Sequence, residues 1–125
     1  NILSNHFLTT GKEIKKYESS LNEIESINLP KLYTNSRNDR HLFTVWTKPT
    51  KRDQILEQLQ NNEIGVAVNY RAVHLLKFYR KTFDYKEGAF PNAERIGNST
   101  ISIPLYPKLT DAEINYVIKC LIQAV

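Results

Sequence analysis

Between residues 69 and 83 the chain reads NYRAVHLLKFYRKTF, which gathers four arginine or lysine side chains, four aromatic rings and one histidine. No clean helical or strand period runs through this segment. Arginine offers a planar fork of donors suited to phosphate or carboxylate, while tyrosine and histidine add directed hydrogen bonds and flat faces for a base or sugar. The same residues also admit a packing reading, with Tyr70, Phe78 and Tyr79 on the core and Arg71, Lys77, Arg80 and Lys81 reaching water. A position just after an expected strand favours binding, because a rigid sheet can aim a loop.

Other chemistries lack their residues. His6, His41 and His74 stand apart, with no histidine or cysteine at a spacing of two to four, and one cysteine cannot build a structural zinc site. Cys120 lies in an apolar C-terminal stretch, where an inert buried thiol is expected rather than a nucleophile. With only four glycines the chain cannot form a glycine-rich phosphate cradle, and it has no nucleophile elbow. The charged run GKEIKKYE reads as a solvated helix face.

The 125 residues suffice for one core, and a domain of this size buries roughly two thirds of the surface its unfolded chain exposes. Charged residues at 24% and hydrophobic residues at 41% exclude wholesale disorder, and no apolar run reaches the roughly 20 residues of a membrane span. A cytoplasmic location is the expectation, in keeping with a single cysteine. A net charge of +4 permits an anionic partner without requiring one. The chain contains no methionine and opens like mid-sequence text, so a piece of a longer protein is expected.

The elements that must position the basic-aromatic segment follow from periodicity. Leu3, Phe7, Ile14, Tyr17, Leu21 and Ile24 line one stripe of a long helix within residues 3–27, with regular turns from about Gly11 after a Thr10–Glu13 capping box. NLPKLYTNSRNDR reads as a loop, and HLFTVWT (41–47) as a strand. Thr50 is expected to cap a helix that buries Ile55, Leu56 and Leu59 and ends in NNEIG, whose residues tolerate positive φ. VAVNY reads as a short strand and the segment after it as a loop. DYKEG then turns the chain into a short helix from Pro91 through Ile96, and a third strand within 99–107 stops at Pro104. Thr110, with Glu113 three residues on, caps a final helix that buries Ile114, Val117, Ile118, Leu121 and Ile122. The expected core comprises Phe43, Val45, Leu56, Leu59, Ile101, Ile103, Ile114, Val117, Ile118 and Leu121. The fold class is α/β (α+β): a small, mostly antiparallel sheet of about three strands packed with helices. Residues 1–30 would be a long linking helix and 31–125 a small C-terminal α/β domain.

Four stretches stand in an order that resembles a known family: HLF with Val45 (41–45), IGVAVNYRAVHLLKFYR (64–80), FPNAERI (90–96) and SIPLYPKLTDAEINYVI (102–118). This is the order in the C-terminal part of DegT-type (DegT/StrS) sugar nucleotide aminotransferases, which are fold-type I, pyridoxal-phosphate enzymes. The arginine-alanine, histidine and lysine-aromatic-tyrosine-arginine run is most similar to the branch that makes 4-amino-4-deoxy-L-arabinose.

The resemblance covers nearly the whole chain and implies a parent enzyme that moves an amino group from glutamate to a keto-sugar on a nucleotide diphosphate. In that family a Schiff-base lysine and an aspartate facing the pyridine nitrogen lie in the large N-terminal domain, and no segment here resembles those motifs. It therefore implies that pyridoxal phosphate is held by an N-terminal domain outside these residues and that this chain alone holds no cofactor and does not transaminate. An intact homodimer is implied, with neither membrane nor nucleic acid as partner. Asn69, Tyr70, Arg71, His74 and Tyr79 would face the nucleotide sugar, Arg71 toward a phosphate and His74 and Tyr79 toward sugar or phosphate oxygens. Many relatives carry glycine and histidine where this chain has Ala67 and Asn69, which leaves the sugar open. Two other classes remain: a stand-alone basic module for nucleotide or nucleic acid, which would need a positive groove with exposed stacking rings, and a dimerisation piece.

Overall fold

The computed structural model describes residues 2–31, 33–36 and 40–125, with side chains described from Gly11 onward. Helix α1 spans Ile2–Leu21 and passes through Gly11 without a break. The Thr10 cap and the stripe positions Leu3 and Phe7 lie outside the described side chains. The stripe outlives the helix. After Leu21 the chain closes two tight turns, Ile24 N–H donating to Leu21 O at 3.2 Å and Ile27 N–H to Ile24 O at 2.9 Å. Ile27 is thereby buried although it is not helical, which corrects the expected end of the helix.

Strand β1 (Phe43–Trp46) pairs antiparallel with β2 (Thr100–Ile103), with Phe43 opposite Ile103 and Val45 opposite Ile101. Directly opposed residues share a sheet face. These four side chains are buried and meet Tyr17 and Leu21 of α1, Ile55 and Leu59 of α2 (Arg52–Asn61), and Ile114, Val117, Ile118 and Leu121 of the last helix, α5 (Asp111–Ala124). Helix α5 packs on both α1 and α2.

The architecture is the expected small mixed domain, with one strand fewer. VAVNY contributes a single bridge, Ala67 to Ser102. Both neighbouring rungs are blocked. Toward the next residue pair on one side Pro104 has no N–H to offer, and on the other the Thr100 N–H is already spent on Ile96 O at the end of helix α4 (Pro91–Ser99).

Helix α4 begins at Pro91 as its sequence demands, but runs three residues past Ile96. The capping box of α5 forms as read: the Thr110 hydroxyl accepts from Glu113 N–H at 3.2 Å and the Glu113 carboxylate accepts from Thr110 N–H at 2.7 Å. Thr50 is not a cap. Residue Lys51 stands there without a side-chain bond, because a backbone turn that starts with Lys51 and Arg52 N–H donating to Lys48 O does that work. Positive φ at the end of α2 falls on Glu63, at 60°, rather than on the asparagines or glycine of NNEIG. Leu56 is only half-buried, and Ile122 is 42% exposed, one position beyond the stripe that α5 presents to the core.

Candidate functional site

The basic-aromatic segment is not a loop. Val73–Leu75 form a 3-10 turn and Lys77–Phe83 a helix, α3, none of whose residues is buried. Seven residues with no buried face leave no apolar period to detect. Neighbouring rings hold the segment together. Tyr79 stacks on Phe83 at 6.1 Å between centroids, Phe83 lies 5.6 Å from Tyr85, and Tyr85 meets Phe90 edge-on at 5.3 Å. Asp84, in the left-handed region at φ 53°, ends α3 and turns the chain toward α4.

Helix α4 is the support beneath this cluster. Its Glu94 side chain is 12% exposed and accepts from His74 Nε2 at 2.8 Å, from Gly88 N–H at 2.9 and 3.0 Å and from Phe90 N–H at 3.3 Å. The Gly88 N–H, then the His74 ring, hold its carboxyl below the usual carboxylate range. A carboxylate only accepts, so the His74 ring donates through its Nε2–H in this contact. One turn on, Gly97 lies so close to the chain that a Cβ there would sit 2.6 Å from Ala72 N and 3.2 Å from Arg71 C. The buried Arg52 of α2 donates to Gly97 O at 3.3 Å and secures the far end of α4.

Four of the five residues picked from the sequence line one open depression of about 460 Å³: Tyr70, Arg71, His74 and Tyr79. Asn69 does not line it. Arg71 is exposed and makes no hydrogen bond or ion pair with another described residue, so its fork is available to an anion. Tyr70 is 68% and Tyr79 36% exposed, rings that can stack on a flat ligand. His74 is different, being buried against Phe90 at 4.8 Å with one nitrogen already committed to Glu94. Glu94, Gly97 and Arg52 were not singled out from the sequence. The first two fall three residues apart in and just after FPNAERI, the spacing of one helix face, and that was the available signal.

Among the described residues no group of three or more histidine, cysteine or carboxylate side chains could hold a metal. No described helix is long and apolar enough to cross a membrane. No described lysine is placed to anchor pyridoxal phosphate covalently. A covalent anchor must be a lysine able to lose its proton in a shielded place. Here Lys16 is half-buried against Asp111 and every other lysine is exposed, while the Lys12 amine is pushed up by its bond to Asp111.

The arrangement is an open, aromatic-lined depression on a small α+β domain, and residues 3–122 match the DegT/DnrJ/EryC1/StrS aminotransferase family. The chain belongs to that family. It is 35% identical over 108 residues to an uncharacterized protein of Methanocaldococcus jannaschii, covering 82% of this chain and 28% of that one. It is 30% identical over 109 residues to the spore coat polysaccharide biosynthesis protein SpsC of Bacillus subtilis, covering 83% of this chain and 28% of SpsC. Among solved structures, DesV of S. venezuelae in complex with a ketimine intermediate superimposes with a TM-score of 0.87 at 26% identity, over 96% of this chain and 32% of DesV. The chain thus spans under a third of the length of these relatives.

Proposed function

We propose that these residues are the substrate-side, C-terminal domain of an aminotransferase that moves an amino group from glutamate to a nucleotide-linked keto-sugar in polysaccharide biosynthesis. In this reading residues 31–125 form the small domain, the leading helix joins it to a larger one, and the intact enzyme is a cytoplasmic homodimer. Pyridoxal phosphate is held outside these residues and supplies the carbonyl that carries the amino group from donor to acceptor. The part left to this chain is recognition. Arg71 takes the diphosphate through its fork, and Tyr70 and Tyr79 lie against base or sugar. Asn69 sits at the edge of the site and His74 supports it from behind.

The observation that carries this reading is the Arg71 fork, unpaired among the described residues, on an aromatic wall, within a chain whose residues 3–122 match a family of aminotransferases. The test is single-turnover assay of the intact enzyme containing these residues. Conversion of the cofactor by glutamate, followed by amination of a nucleotide-linked keto-sugar but not of the free sugar, is the expected result. Equal turnover of the free sugar would remove the diphosphate from the reading.

A further inference from the structure

We infer that Glu94 is a positioning residue: acting through His74, and with Gly97 beside it on α4, it sets where the Arg71 fork stands in the depression. The inference rests on the amino-transfer reading above and deepens it.

A glutamate in the first turn of a helix is ordinary when it serves only the helix, by favouring the positive end of the dipole or bonding the cap residue. Glu94 does more than that. Of its three donors, only the Phe90 N–H belongs to the entrance of α4. Gly88 N–H comes from the turn before it, and His74 Nε2 from the 3-10 turn beyond Arg71. A carboxylate with 12% exposure and donors from three directions is fixed in place, and it fixes what it holds.

Arg71 needs such help because, among the described residues, its side chain has no partner to orient it. Its backbone is pinned at two points. At residues 71–72 the bare Cα of Gly97 lets α4 lie directly against the chain. Three residues after Arg71, His74 is drawn onto Glu94, and the next residue closes the turn, Leu75 N–H donating to Ala72 O at 3.0 Å. Glu94 and Gly97 share one face of α4, so a single rigid surface sets both points. Displacing either moves the origin of the Arg71 side chain, and misplacement of a binding group by about 1 Å is costly to a fitted substrate.

The test compares Glu94→Gln, Glu94→Ala and Gly97→Ala in the intact enzyme, reading the two half-reactions separately. The glutamine can keep one carbonyl oxygen on the His74, Gly88 and Phe90 N–H groups, but it sets an NH2 where the second carboxylate oxygen faces the Gly88 N–H at 3.0 Å. The expected result is a KM for the nucleotide sugar raised about tenfold or more in Glu94→Ala and Gly97→Ala. Glu94→Gln should fall between these and wild type, with kcat and the half-reaction with glutamate unchanged. A generally loosened domain would damage both half-reactions together, and that outcome overturns the inference. So does a wild-type KM in Glu94→Gln and Gly97→Ala, which carry the test if Glu94→Ala fails to accumulate. A wild-type enzyme that aminates no nucleotide sugar instead overturns the amino-transfer reading, and this inference with it. Loss confined to the variants leaves that reading intact.

Discussion

Helices α3 and α5 are held in place by opposite means. Helix α5 buries Ile114, Val117, Ile118, Cys120 and Leu121 and starts in a capping box, so its own sequence supplies both its face and its end. Helix α3 buries nothing and has no side-chain cap. Its Phe78 and Phe83 are 67% and 55% exposed, and it persists through ring-to-ring contacts and a neighbouring helix that grips the turn before it. One helix is made by its core. The other is displayed by its support, and exposed rings of that kind mark a surface meant to meet something.

The contrast breaks most visibly under truncation. Leu121→Ala removes a side chain with no exposure and is expected to cost about 2–5 kcal/mol, read as a lowered urea midpoint at unchanged slope. Thr110→Ala removes the hydroxyl that receives Glu113 N–H and is expected to cost about 1 kcal/mol in the same measurement. Phe78→Ala, on the displayed helix, is expected to move the midpoint by no more than about 0.5 kcal/mol. A loss at Phe78 as large as that at Leu121 would mean that α3 is covered from within.

The same contrast explains how much was legible in the sequence. The stripe from Ile114 to Leu121, the Thr110 box, the entry at Pro91 and the alternation around Phe43 and Val45 are local patterns, and each appears as read. The missing third strand is a matter of which backbone groups remain free. The Thr100 N–H is taken by Ile96 O, a fact that exists only once α4 and β2 are joined. The Thr50 cap failed for a related reason, since the Lys48 carbonyl meets the entering chain first.

At the candidate site, residues grouped by sequence are neighbours in space, but their settings differ from what the pattern conveys. Tyr70, Arg71, His74 and Tyr79 do share a wall, but the pattern could not distinguish a ring facing outward from one buried on a carboxylate twenty residues away. Glu94 has the look of an ordinary helix-start glutamate, and Gly97 that of a weak point in a helix. Their importance lies in contacts with residues 71–74, and no short-range period encodes those.

The most direct measurement is steady-state kinetics of Arg71→Ala in the intact enzyme, with the nucleotide sugar varied and a thermal melt recorded in parallel. An exposed arginine that has no partner among the described residues and serves only recognition should leave the melt unchanged. Loss of its charge-assisted bond, worth roughly 1.5–3 kcal/mol, should raise the KM for the nucleotide sugar about tenfold or more, with Arg71→Lys recovering only part. Wild-type kinetics, or a melt lowered as far as that of Leu121→Ala, would contradict the account.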